Sequence, residues 1–149
     1  MTLDTLENTA LWFKKAVPNP TPTNVGVQLG CHLEEVAEML DTIEGLTLEA
    51  QEALNYAWKS VKALADHMKA NPLSVGIDMY PDYLDALCDQ IVTAVGCSHM
   101  SGMQIVPAMK VVNKSNFSKF DNEGRPIFAA NGKITKGPNY APPDLTPFI

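Results

Sequence analysis

Long apolar runs are missing from this chain of 149 residues: no stretch of eighteen or more could cross a bilayer as a helix. The opening MTLDTLENTALWFKK also lacks the basic start and apolar centre of a secretory signal. Cysteine is scarce. Cys31, Cys88 and Cys97 make an odd count without framework spacing, which suits a reducing compartment, and they are expected as small buried apolar groups. A cytoplasmic protein without membrane contact is the expectation. Bases are outnumbered, and the net charge of −6 argues against a nucleic-acid polymer as partner. Two catalytic signatures are absent as well. NVGVQLG has neither the lysine nor the glycine spacing of a P-loop, and no nucleophile elbow occurs. Cys31-His32 with Cys97-x-His99 matches no common zinc spacing.

What is present is ordinary globular material, 46% hydrophobic and 19% charged, enough for one domain over 1–149 with a real core. The charge is unevenly spread. Residues 31–109 hold twelve acids and three lysines, whereas residues 110–149 hold six bases against three acids. An acidic middle joined to a basic end suits a ligand that combines metal and phosphate. It also suits plain solubility.

Periodicity predicts helices over 3–16, 27–45, 46–70, 80–103 and 104–120. The three prolines of VPNPTPTNVG (17–26) predict a loop or extended segment before the second helix. In that helix Leu29, Leu33, Val36, Leu40 and Ile43 form the expected packing stripe. Thr47 is placed to cap the third helix, and Asn71-Pro72 to end it. After Phe120, Asn131-Gly132 between PIFAA and KITK predicts a short hairpin inside an appendage over 121–149. The fold class is therefore all-α: a four- to five-helix bundle with a short C-terminal hairpin and extended tail.

The carboxylates ask for an explanation. Glu34, Glu35 and Glu38 fall within one turn, on the side opposite the leucine stripe, where acids are often just solvated. Asp82, Asp85 and Asp89 share a face of the fourth helix without an accompanying lysine, and like charges at this spacing repel. Beyond Asp89 no charged residue occurs until Lys110, so this helix is expected to be buried, with Asp89 at its mouth. Two acid-bearing helices without matching bases make a Mg²⁺ site of hard oxygen ligands the economical reading.

Glu-Glu-x-x-Glu at 34–38, with the Asp85…Asp89 helix, resembles the MazG-like all-α NTP pyrophosphatases. VVNKSNFSKFDNEGRPIFAANGKITKGPNYAPPDL (111–145) is similar to the pattern Ser-Asn-x-(Ser/Thr)-Lys … Gly-Lys-x-x-Lys-Gly-Pro … Pro-Pro-Asp-Leu of the phosphoribosyl-ATP-pyrophosphohydrolase-like branch. The resemblance covers roughly 27–145 and implies the family's site by position. Glu34, Glu35, Glu38 and Asp89 match metal-binding acids; Asn116 and Lys119 match phosphate-contacting positions. Lys133 and Lys136 are further phosphate candidates. The usual second motif is Glu-x-x-Asp, and here Ala86 precedes Asp89 by three; Asp85, or the pair Asp82 and Asp85, stands as substitute.

The implied reaction is hydrolysis of a nucleoside triphosphate to monophosphate and pyrophosphate, with Mg²⁺ (Mn²⁺ as substitute) and with Glu35 or Glu38 as general base. Lys119 and Asn116 would stabilise charge on the phosphates. Trp12, Phe13 and the proline-rich loop are candidates for a base slot. A homodimer or homotetramer, a deoxynucleotide-pool role and a preference for dATP and dGTP are expected. The alternatives are phosphoribosyl-ATP hydrolysis in histidine biosynthesis and a helical interaction protein that has lost catalysis.

Overall fold

A computed structural model describes residues 4–149. Its regular structure is helical: α1 Thr5–Ala16, α2 Pro22–Asp41, α3 Leu48–Lys69, α4 Tyr80–Met100 and α5 Ile105–Phe117, with single 3-10 turns at Ile77–Met79 and Thr146–Phe148. No strand forms among the described residues, and Phe128 and Ile134 make one isolated antiparallel bridge. The expected all-α class is met. Leu3, expected within the first helix, lies outside the described residues.

Two compact units divide the chain. One comprises residues 4–18, Val75–Phe128 and Ile134–Ile149; the other comprises Asn19–Ser74 and Ala129–Lys133.

In the first unit α1 opens with a capping box. Asp4 accepts from the Glu7 backbone N–H and the Glu7 carboxylate accepts from the Asp4 N–H. The core is aromatic: Trp12, Ala16 and Phe120 are buried, with Val17, Phe117 and Ile134 packed around them. The Trp12 and Phe120 rings stack at 5.8 Å, and Phe117 meets Phe120 edge-on at 6.0 Å. Polar bonds clamp α1 to α5. Asn113, itself buried, donates to the Thr5 carbonyl at 2.8 Å and accepts from the Thr9 hydroxyl at 2.9 Å.

The same unit holds α4, and here the expectation of a buried helix is corrected. None of its residues is buried, and Leu84, Ile91, Val92 and Val95 are exposed. An apolar composition demands burial only where an element of the fold supplies a cover, and this unit leaves that face of α4 open. Asp89 is accordingly exposed, not enclosed.

The second unit is built on α2 and α3, packed antiparallel. The start of α2 departs from the loop expected over 17–26. Thr21 caps the helix, accepting from the Asn24 N–H at 3.3 Å, while the Asn24 side chain accepts the Thr21 N–H at 2.9 Å. Pro22 occupies the first turn, where a missing N–H costs nothing and a preset φ helps. The helix then stops at Asp41, not at 45. On α3, Thr47 caps as expected, accepting from the Ala50 N–H at 3.1 Å.

The packing face of α2 also differs from the leucine stripe. Gly26, Val27, Gly30 and Ala37 are its buried residues. A Cβ on Gly26 would lie 2.0 Å from the Asn71 carbonyl oxygen; one on Gly30 would lie 2.6 Å from that of Ala65. Glycine at this four-residue interval lets the backbones approach where leucine would hold them apart. Residues 129–133 join this unit through the turn at Asn131-Gly132, where Gly132 has φ +80 and its N–H bonds the Ala129 carbonyl at 2.9 Å.

Candidate functional site

Because α2 turns its glycine face to α3, Glu34 follows Gly26 and Gly30 onto that face. Its side chain is only 13% exposed. Three amino groups reach it. Lys62 and Lys69 of α3 donate to Oε1 at 2.8 and 3.0 Å, and Lys133 from the hairpin turn donates to Oε2 at 2.7 Å. Asp66, between the α3 lysines, pairs with Lys69 at 3.0 Å and Lys62 at 3.6 Å. Three cations therefore meet two anions, leaving a positive excess of one.

The electrostatics follow from these contacts. Hydrogen bonds from Lys133, Lys62 and Lys69 hold the Glu34 carboxyl well below the usual carboxylate range. The bond to Glu34 raises Lys62 and Lys133 above the ordinary lysine value. Burial works against the Lys69 ammonium, but its bonds to Glu34 and Asp66 outweigh that and raise it too. Burial pushes the neighbouring Cys31 thiol up, more than the nearby Lys133 lowers it. Cys88 and Cys97 are exposed, contrary to the expectation of buried groups.

The expected acids thus part company. Glu34 is not on a solvated face and does not lack bases. Its cations come from α3 and from ninety-nine residues downstream, beyond the reach of local pattern. Glu35 and Glu38 are exposed on the adjoining side of α2 and have no ion-pair partner among the described residues. Asp82, Asp85 and Asp89 are exposed on α4, in the other unit. Among the described residues no three His, Cys, Asp or Glu groups gather closely enough to hold a metal ion.

The expected phosphate and base residues fall mostly in the first unit, and the structure brings four of them together. Trp12 donates its indole N–H to the Asn116 carbonyl at 2.7 Å, and the Lys119 ammonium lies 5.7 Å over the Trp12 ring. Trp12 is a core residue, 7% exposed, whereas Phe13 packs edge-on against it and is partly exposed. The Lys136 ammonium lies over the Tyr140 ring at 4.7 Å. Lys62, Lys69 and Asp66 were not singled out from sequence. The available signal was Lys62 and Lys69 seven residues apart, hence on one face of α3.

No helix among the described residues is long and apolar enough to cross a membrane. No family model matches the sequence, and no curated protein matches it. Among solved structures it is similar to the crystal structure of a "putative NTP pyrophosphohydrolase" from Exiguobacterium sp. 255-15. The TM-score is 0.62 at 20% identity, over 96% of this chain and 90% of that one. The all-α architecture described above is the fold of that protein.

Proposed function

We propose that this chain is a Mg²⁺-dependent nucleotide pyrophosphohydrolase of the MazG-like type, cleaving deoxynucleoside triphosphates, purine ones preferentially, to monophosphate and pyrophosphate. The observation that carries the reading is the mixed chemistry of the α2–α3 face. Amino groups suited to phosphate surround Glu34, while Glu35 and Glu38 stand open within the same turn. The fold likeness supports it.

The donor chemistry suits a hard cation. Glu35, Glu38, Asp85 and Asp89 are exposed carboxylates without a protein cation among the described residues, and Mg²⁺ takes such oxygens, as does Mn²⁺. Glu34 offers the same donor type once its lysines turn to the substrate's phosphates. Bound Mg²⁺ would supply charge neutralisation and a water of lowered pKa. Glu35 or Glu38 takes the proton from the attacking water; Lys119 and Asn116 donate to the phosphate chain. The open apolar face of α4 supports assembly into a dimer or tetramer, which sedimentation at graded concentrations would measure.

The test is product analysis after incubating a panel of nucleotides, phosphoribosyl-ATP included, with Mg²⁺. Monophosphate and pyrophosphate are the expected products. Diphosphate with free phosphate would place the cut at the γ-phosphate and overturn the reading. No turnover of any nucleotide would favour a helical interaction protein, consistent with Ala86 at the second-motif position.

A further inference from the structure

One face of α3 runs Gln51, Asn55, Trp58, Lys62, Ala65 and Lys69, at alternating steps of four and three. Its upper half, with Lys62 and Lys69, meets Glu34. Its lower half, with Leu40 and Asp41 from the end of α2, lines a cleft of about 220 Å³. That is room for one ring system, less than the space a whole drug-sized ligand occupies. The cleft combines an apolar and aromatic wall, Leu40 and Trp58, with a rim bearing an acceptor, Asp41, and donors, Asn55 and Lys59.

Two details set Trp58 apart from core tryptophan. It is half-buried, and its indole N–H has no acceptor among the described residues, whereas Trp12 gives its own to Asn116. The Asn55 amide is meanwhile fixed from behind. The Gly45 N–H donates to Gln51 Oε1 at 2.9 Å, and Gln51 Nε2 donates to Asn55 Oδ1 at 3.2 Å, which leaves the Asn55 Nδ2 donors unspent. A site with a stacking surface, a held amide and an acidic acceptor reads the face and edge of a heteroaromatic ring.

The spacing links cleft and lysines. Trp58 precedes Lys62 by one helical turn, and Leu40 follows Glu34 by six residues, about 9 Å along the axis. A nucleoside sugar bridges such a span, and the positive excess at Glu34 lies where its phosphates would fall.

We propose that the α2–α3 seam is a nucleotide track, with the base stacked on Trp58 in the cleft and the phosphates toward Lys62. This rests on the pyrophosphohydrolase reading for its ligand class, but not on hydrolysis.

Calorimetric titration of the full chain with Mg²⁺ tests it, using an α,β-methylene deoxynucleoside triphosphate and, as the base-free control, inorganic tripolyphosphate. Trp58→Ala should weaken nucleotide binding about ten-fold or more and leave tripolyphosphate unchanged; Trp58→Phe should retain most of the affinity. Lys62→Ala should weaken both ligands. In the wild type, acrylamide reaches Trp58 while Trp12 is buried, so nucleotide, and not tripolyphosphate, should shield the fluorescence even if Trp58→Ala fails to fold. An unchanged nucleotide Kd in Trp58→Ala, or unchanged quenching, overturns the track. If that variant also still hydrolyses nucleotide, the pyrophosphohydrolase reading survives alone. Loss of affinity in a protein that never hydrolyses leaves the track standing and removes the activity. A wild type that binds no nucleotide removes both.

Discussion

Replacing Glu34 by glutamine keeps the shape of the side chain and deletes the charge that three ammonium groups share. Each charge-assisted bond is worth about 1.5–3 kcal/mol when water is excluded. Water is only partly excluded here. Lys62 and Lys133 are 38% and 46% exposed, so screening by water removes most of what their bonds would otherwise supply. Lys69 is 12% exposed but keeps Asp66 at 3.0 Å, so its loss is also partial.

The expected destabilisation is about 2–3 kcal/mol at neutral pH, or about 5–10 °C in Tm for a chain of this size. Urea unfolding followed by circular dichroism at fixed ionic strength measures it, with the slope unchanged. Because the folded carboxyl titrates below its unfolded value, its contribution is complete above the ordinary glutamate pKa and is lost as pH falls through the folded one. The gap between wild type and Glu34→Gln should therefore hold from pH 7 to about 5 and close in stronger acid. The lysines run the opposite way: their raised values make their share complete below the ordinary lysine pKa and lost as pH climbs through the folded one. Equal stability at pH 7, or a gain, would refute this expectation and show that desolvation of the ion cluster outweighs its attraction.

Glycine removal probes the helix seam: Gly26→Ala and Gly30→Ala should each cost about 1–3 kcal/mol in thermal or urea melts, because the new methyl meets backbone oxygen at 2.0 and 2.6 Å. Glu38→Gln and Asp89→Asn should lose activity while remaining folded, with Tm unchanged or slightly raised through relief of like-charge repulsion; Mg²⁺ should raise the wild-type Tm and theirs less. Lys119→Ala should cost about 2–4 kcal/mol in kcat/KM, and Lys133→Ala and Lys136→Ala less, because Lys133 is 46% exposed and already engaged by Glu34 and Lys136 lies over the Tyr140 ring; equal, small losses at all three would detach Lys119 from the phosphates.

Much of the helical framework was legible because its signals are local. Thr47 as a cap, the Asn-Gly turn and the extent of α3 each depend on a few neighbouring residues. The start of α2 was missed although its signal was also local. The prolines of PTPTN read alone as breakers, while Thr21, Pro22 and Asn24 together make an N-terminus. The packing face of α2 was misread for a different reason. Leucines stand out in a hydrophobic pattern, but helices approach most closely along small residues, and Gly26, Gly30 and Ala37 carry little hydrophobic signal. That rotation moved Glu34 from the expected solvent side to the seam. Its partners were then out of reach, since which lysine meets which carboxylate depends on tertiary distance. The position of Glu34 in a Glu-Glu-x-x-Glu motif was readable; its surroundings were not.

The lysine at the hairpin turn also orders events during synthesis. Helices α2 and α3 are joined by a short connection and can pair as soon as both have left the ribosome, since their contacts are near neighbours in sequence. Glu34 would then hold Lys62 and Lys69 but wait for Lys133, which emerges ninety-nine residues after it. At about 5–20 residues per second this leaves an interval of several seconds in which the anion has two cations instead of three. Any product ending before residue 133 would keep the two α3 lysines against Glu34 and Asp66 but lack the third bond to Glu34, so nascent-chain truncations on either side of that point should differ in protease resistance even though neither α2 nor α3 has changed by a single residue.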